Sequence, residues 1–214
     1  MIKILLVDDH DLVRAGVARL LSDVDDFDVI GEATSGEAAI RMVKEKQPNI
    51  VLMDVKMPGI GGLEATRKMS HNNPNVGIIA LTVFGEEPFP SKLLQAGAAG
   101  YITKGSGLDE MVKAIVTVHS GKRYISPDIA QQLALKTVSE VDGSPLDSLS
   151  ERELQVMLMI TSGQRVLDIA AKLCLSPKTV NSYRYRLFEK LNVTSDVELT
   201  HLALRYGILD TEMS

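Results

Sequence analysis

The strongest constraint on this chain is a rhythm in its first half, where short apolar runs alternate with longer amphipathic stretches. The runs are Ile2–Val7, Asp28–Ala33, Ile50–Val55, Gly77–Thr82 and Gly100–Thr103. Helical patterns follow them at Leu12–Leu21, Gly36–Lys46, Gly62–Met69, Ser91–Ala96 and Leu108–Ser120. Short runs that are apolar throughout suit strands buried on both faces. Strands that alternate with helices require βαβ crossovers, hence a parallel sheet covered on both sides. The fold class is therefore α/β, a (βα)5 domain over residues 1–122, for which the flavodoxin-like strand order 2-1-3-4-5 is the expectation.

The pattern changes near Ser126, after which only helical segments appear. Ser126-Pro127 opens a helix near 126–138 by N-cap and N1 chemistry, with Ile129, Leu133 and Val138 on its buried face. The polar, turn-rich stretch from Ser139 to Pro145 then makes residues 123–145 a linker. Ser150 and Glu153 form a capping box ahead of Leu154, Met157, Leu158 and Thr161, and Gly163 ends that helix. Val166–Leu173, a turn through Leu175-Ser176, a helix from Pro177 to Leu191 and a last one near Asp196–Tyr206 complete an all-α domain over 146–214.

Composition narrows the function classes. Hydrophobic residues at 45% and charged ones at 24% exclude a disordered chain. No apolar run is long enough to span a bilayer, and Asp8 and Asp9 interrupt any leader. The lone Cys174 excludes an internal disulfide framework and, with four scattered histidines, a structural zinc site. A reducing, cytoplasmic setting is expected, with Cys174 a small core residue at an inter-helix turn. Residues 1–122 hold 13 Lys and Arg against 16 Asp and Glu, whereas 164–192 hold six basic residues against two acids. An acidic body with one basic patch points to local contact with a polyanion. Aromatic residues at 4%, without Trp, exclude a stacking platform for single strands.

The predicted strand ends carry the chemistry. Asp8 and Asp9 follow the first strand, Asp54 sits near the end of the third, Thr82 closes the fourth and Lys104 follows the fifth. In a parallel sheet these positions project from the carboxyl edge, where ligands bind at the switch point between strands one and three. Any single acid here suits a helix start, as Asp11 does. Three carboxylates converging there repel one another unless a cation joins them or a proton neutralises one. Oxygen ligands with open water positions favour Mg2+. Lys104 and Thr82 add a fixed charge and a hydroxyl, which suits an acceptor for a phosphoryl group.

These residues resemble the receiver domain of two-component response regulators. The motifs are Val7-Asp8-Asp9-His10, Asp54-Val-Lys-Met-Pro58-Gly59, Ala80-Leu81-Thr82 and Gly97-Ala-Ala-Gly-Tyr101-Ile-Thr-Lys104. The resemblance implies that a sensor histidine kinase phosphorylates Asp54. It also implies that Asp9, Asp54 and the Lys56 carbonyl ligate Mg2+, with Asp8 acting through water, and that Thr82 and Tyr101 form a switch pair. Two positions depart from the pattern. Gly105 follows Lys104 where many receivers place Pro, and Pro88 and Pro90 fall where helix four begins, so that helix is expected to start late and be short.

In the second domain, Val180, Tyr183 or Arg184, Leu187 and Leu191 recur at helical spacing and face inward. Lys178, Asn181, Ser182 and Tyr185 share the outward face. Amide, hydroxyl and cationic groups suit base edges in a major groove, with Arg184, Arg186 and Lys190 beside them for phosphates. Leu149-Ser-Glu-Arg-Glu-Leu154, Asp168-Ile-Ala-Ala-Lys-Leu173 and Leu175-Ser-Pro-Lys-Thr-Val180-Asn resemble the LuxR/FixJ (NarL-type) helix-turn-helix, with Asp168 in place of the usual Glu. That resemblance implies that the third helix, with Thr179 among its contacts, enters double-stranded promoter DNA and that the last helix supports a homodimer. Over its full length the chain resembles the GacA/UvrY subgroup of bacterial global activators, which implies a hybrid sensor kinase with a phosphotransfer domain upstream; RNA polymerase is a further partner of an activator. Two rivals are weaker. An aspartyl-phosphate phosphatase needs a second acid where Lys56 stands, and a relay or scaffold acting by protein contact alone has no use for the helix-turn-helix.

Overall fold

The computed structural model describes residues 1–57, 59–82, 89–138, 145–206 and 208, with the side chains of 82, 136–138 and 151 outside that description. The chain divides into two units, Met1–Asp142 and Gly143–Ser214. The first is built on the strands β1 (Ile2–Val7), β2 (Phe27–Ala33), β3 (Ile50–Met53), β4 (Gly77–Thr82), β5 (Gly100–Thr103) and β6 (Tyr124–Ile125). They form one parallel sheet in the order β2-β1-β3-β4-β5-β6. The helices between and after them are α1 (Asp11–Ser22), α2 (Gly36–Lys46), α3 (Gly61–Asn72), α4 (Phe89–Gln95), α5 (Leu108–His119) and α6 (Pro127–Val138).

Side-chain alternation along β1 divides the core. Ile4 and Leu6 join Leu52, Leu21 of α1 and Ala114, Ile115 and Val118 of α5 on one face. Leu5 and Val7 join Met53, Val43 of α2 and Met69 of α3 on the other. Both faces are apolar because both are covered, which is why the strand runs carry no polar alternation.

Two expectations are corrected in this unit. The sheet gains a sixth strand inside the expected linker: Tyr124 pairs with Gly100 and Ile125 with Tyr101. Two residues are too few to show a period. Ser126 does stand at the start of α6, its carbonyl accepting Ala130 N–H at 2.9 Å, but its Oγ is buried without a hydrogen bond and caps nothing. Of the expected apolar face, Ile129 is buried, Leu133 is half-buried, and the Val138 side chain and residues 139–144 lie outside the described residues. Helix α4 is short and carries Pro90 in its first turn, where a missing N–H costs no helical bond; Pro88 is outside the described residues.

The second unit opens with a 3-10 turn, Pro145–Ser148, followed by α7 (Glu151–Thr161), α8 (Val166–Leu173), α9 (Pro177–Leu191) and α10 (Asp196–Arg205). The capping box forms as expected, Glu153 N–H donating to Ser150 Oγ at 3.2 Å and Ser150 N–H to Glu153 Oε2 at 2.8 Å. Ser176 caps α9 and Pro177 takes its first position. Cys174 is corrected: it is exposed, and at φ 55° it is the left-handed C-cap of α8 rather than a core residue. The turn into α9 needs that backbone conformation more than it needs a small apolar side chain.

Candidate functional site

Backbone bonds beyond the strand ends fix the acidic pocket. Asp8 N–H donates to Ala33 O at 3.0 Å and Asp54 N–H to Val7 O at 2.8 Å, so both acids continue the sheet. Gly62 closes the floor: a Cβ there would stand 2.0 Å from the Asp54 carbonyl oxygen. Asp54 is 2% exposed. Its Oδ1 accepts Val55 N–H at 2.7 Å and Lys56 N–H at 3.4 Å, and its Oδ2 accepts Lys104 Nζ at 2.9 Å.

Burial pushes the Asp54 carboxyl up to about 6; Lys104 pulls it back down, while the Asp8 charge pushes it further up. Burial works against the Lys104 ammonium as well, but Asp54 and Asp8 outweigh it and raise its pKa. Lys104 Nζ also lies 2.6 Å from Asp8 Oδ2, as a charge contact without hydrogen-bond alignment.

Two further residues belong to this pocket. His10 Nδ1 lies 3.1 Å from both Asp8 Oδ1 and Asp9 Oδ1. In the sequence His10 is only the neighbour of two acids ahead of a helix. Arg14 donates from Nη1 to the Asp8 carbonyl at 2.8 Å, and from Nε and Nη2 to Glu32 and Asp11 at 2.8 and 2.6 Å. The only sequence signal for it is the i, i+3 spacing from Asp11.

Asp8, Asp9, His10 and Asp54 each offer a ligand atom within 4.8 Å of the others. Asp8 Oδ2 and Asp9 Oδ1 are buried without hydrogen bonds. A small, hard divalent cation fits this oxygen-rich set. Tyr101 is fully buried on β5. Thr82 ends β4 opposite Thr103, and its side chain lies outside the described residues.

On α9, Val180, Leu187 and Leu191 are buried. Lys178, Ser182, Tyr185 and Arg186 are exposed, with Thr179 and Asn181 half-exposed. The choice between Tyr183 and Arg184 is answered by both, each half-buried. Two of the residues expected beside phosphates also have partners within the unit. Arg184 Nε and Nη2 grip Asp196 Oδ1 and Oδ2 at 2.6 and 2.7 Å. Lys190 Nζ donates to Glu153 Oε2 at 2.7 Å and to the Ser148 carbonyl at 3.0 Å.

The family described as "Response regulator receiver domain" matches residues 4–116 and "Bacterial regulatory proteins, luxR family" matches 147–203. The chain belongs to the LuxR-type response regulators. It is 62% identical to response regulator GacA of Pseudomonas syringae pv. syringae (strain B728a), over 98% of this chain and 99% of that one. It is 58% identical to response regulator UvrY of Escherichia coli (strain K12), over 99% and 98%. RcsB from Salmonella enterica serovar Typhimurium, solved bound to promoter rprA with the phosphomimetic BeF3-, aligns at a TM-score of 0.73 and 24% identity, over 94% of this chain and 98% of that one; that likeness concerns the fold alone. This response regulator is thus a transcription-regulating, DNA-binding protein and not an enzyme. Among the described residues no helix is long and apolar enough to cross a membrane.

Proposed function

We propose that Asp54 accepts a phosphoryl group from a sensor histidine kinase, and that this transfer switches promoter binding. The observation that carries the reading is the state of Asp54: a buried carboxylate with a pKa near 6, so ionised at neutral pH, held between Lys104 and two backbone N–H groups. A carboxylate oxygen of Asp54 attacks phosphorus, the O–P bond forms, and the electron pair of the N–P bond returns to the donor imidazole. Lys104, 2.9 Å from Oδ2, then faces the new phosphoryl oxygens. Asp8, Asp9, Asp54 and the Lys56 carbonyl would hold Mg2+, whose charge offsets that of the transferring group. Thr82 follows the phosphoryl group and Tyr101 follows Thr82, shifting a pre-existing receiver equilibrium. The signal arrives from a hybrid kinase with a phosphotransfer domain. It leaves through a homodimer on paired half-sites in the bacterial cytoplasm, with RNA polymerase as the partner of activation.

The test measures duplex binding to promoter fragments with and without a small phosphodonor and Mg2+, for the wild type and Asp54→Ala. Binding that rises with phosphodonor in the wild type alone supports the switch. Phosphodonor-stimulated binding that persists in Asp54→Ala overturns it.

A further inference from the structure

We infer that Arg184 and Lys190 are positioning residues of α9, latching the reading helix to its neighbours, and that they do not themselves neutralise DNA phosphates. The inference rests on the reading that the Lys178, Asn181, Ser182 and Tyr185 face enters a groove. The geometry behind it is separate. Arg184 meets Asp196 fork to fork at 2.6 and 2.7 Å and lays its guanidinium 5.2 Å from the Phe188 ring centroid. That ties the middle of α9 to the first turn of α10. Lys190 bridges the Glu153 carboxylate of α7 and the Ser148 carbonyl. The two latches stand six residues apart, about 9 Å along the helix axis, so together they fix both the tilt and the rotation of α9.

Neither latch releases cheaply to DNA. If Arg184 turned to a phosphate, the Asp196 carboxylate would face the same polyanion without its cation. If Lys190 turned, Glu153 would keep a charge that is only 3% exposed and has lost its counter-ion. A single solvent-facing phosphate contact returns less than that. Lys178 and Arg186 differ from both latches in that no ion pair to either is found among the described residues, Arg186 lying 5.8 Å from the Tyr183 ring centroid. These two are the cations of α9 available to phosphates, Lys178 on the outward polar face and Arg186 beside it.

The salt dependence of DNA binding by the full-length chain separates the two roles, because each neutralised phosphate adds about −0.9 to the slope of log K against log salt. The probes are a duplex that the wild type selects from a random-sequence pool and an unrelated duplex of equal length. Lys178→Ala and Arg186→Ala should each flatten the slope by about one phosphate on both probes. Arg184→Gln, Asp196→Asn and Lys190→Gln should keep the wild-type slope but weaken the selected duplex roughly tenfold, the cost of one misplaced base contact, with a much smaller loss on the unrelated one. The charge-exchanged double variant R184D/D196R should recover much of that specificity.

Asp196→Asn is the sharpest arm, being nearly isosteric and removing no cation. If Arg184 is a phosphate contact held in reserve, this change frees it, so that DNA binding tightens and the slope steepens. That result overturns the proposal, as does a slope flattened by one phosphate in Arg184→Gln or Lys190→Gln. Thermal melting of each variant identifies any loss that comes from unfolding. A wild type that retains no duplex from the pool would sink the groove-reading assignment itself, whereas retention with altered slopes sinks the latches alone.

Discussion

Asp54 and Arg184 both meet an opposite charge at under 3 Å, Asp54 at 2.9 Å and Arg184 at 2.6 Å, yet the two pairs do opposite things. Around Asp54 the charges do not cancel. Two buried carboxylates, Asp8 and Asp54, share one lysine ammonium with Asp9 close by, and the acceptor is pushed up to about 6. Around Arg184 two guanidinium N–H groups each have their own carboxylate oxygen, so the two charges match one to one, and nearly half of the Asp196 side chain lies in water. A pocket left with surplus charge is poised for a cation and a phosphoryl group. A fork whose charges match one to one has no surplus charge to attract a ligand and serves as structure. The same residue chemistry therefore divides by what surrounds it: crowding and burial make a reactive site, whereas one-to-one pairing at the surface makes a brace.

The comparison breaks first if the pocket proves plastic. Gly62→Ala would place a methyl group 2.0 Å from the Asp54 carbonyl and 2.8 Å from Val55 Cα, both backbone atoms that cannot swing aside. It should cost about 3 kcal/mol in chemical denaturation, at the upper end for overpacking. A loss under about 1 kcal/mol would show that the acceptor loop yields freely and that its charges are not forced together.

The next largest effect is the surplus charge itself. The folded Asp54 holds its proton up to about 6 against an ordinary 3.8, so its contribution to stability is fully present below 3.8 and is lost as pH rises through about 6. In a metal chelator, the stability of Asp54→Asn minus that of the wild type should therefore grow by about 2–3 kcal/mol across that window, at 1.36 kcal/mol per pKa unit. Added Mg2+ should return part of the difference to the wild type above pH 6. A pH-independent difference would mean that the pocket already balances its charges.

What the sequence disclosed follows the range of the interaction. The central strands were legible because burial on both faces keeps their runs mainly apolar, as Ile50–Met53 shows most cleanly. The capping box at Ser150 and the proline at the start of α9 were legible because capping is local. The convergence of Asp8, Asp9, Asp54 and Lys104 was legible only through the rule that parallel strands deliver their carboxyl ends to one edge. What escaped was non-local or conformational. The Arg184–Asp196 pair spans 12 residues and the Lys190–Glu153 pair 37. β6 has two residues and exists because the β5 edge accepts them. Cys174 looks apolar by type but stands in a left-handed cap. No residue type announces any of these.

Two smaller effects test the brace. Ser150→Ala removes the oxygen that accepts Glu153 N–H at 3.2 Å and unseats half of the capping box that also anchors Lys190. Thermal unfolding should show a loss of about 1 kcal/mol, the usual worth of an N-cap.

Asp196→Asn should cost less still. Its side chain is 45% exposed and that of Arg184 28% exposed, so water screens the pair and the loss should stay under about 1 kcal/mol at low salt. It should shrink further in high salt, where screening weakens the attraction in the folded wild type. The stability effect would thus be the smallest of these changes, while the same substitution produces a clear loss of sequence discrimination on DNA. A brace that is weak in stability and strong in specificity is what one-to-one surface pairing predicts. If Asp196→Asn instead destabilised the unit as much as Gly62→Ala destabilises the receiver, Arg184 would be part of the domain's core, and the distinction between the crowded pocket and the satisfied fork would lose its physical basis.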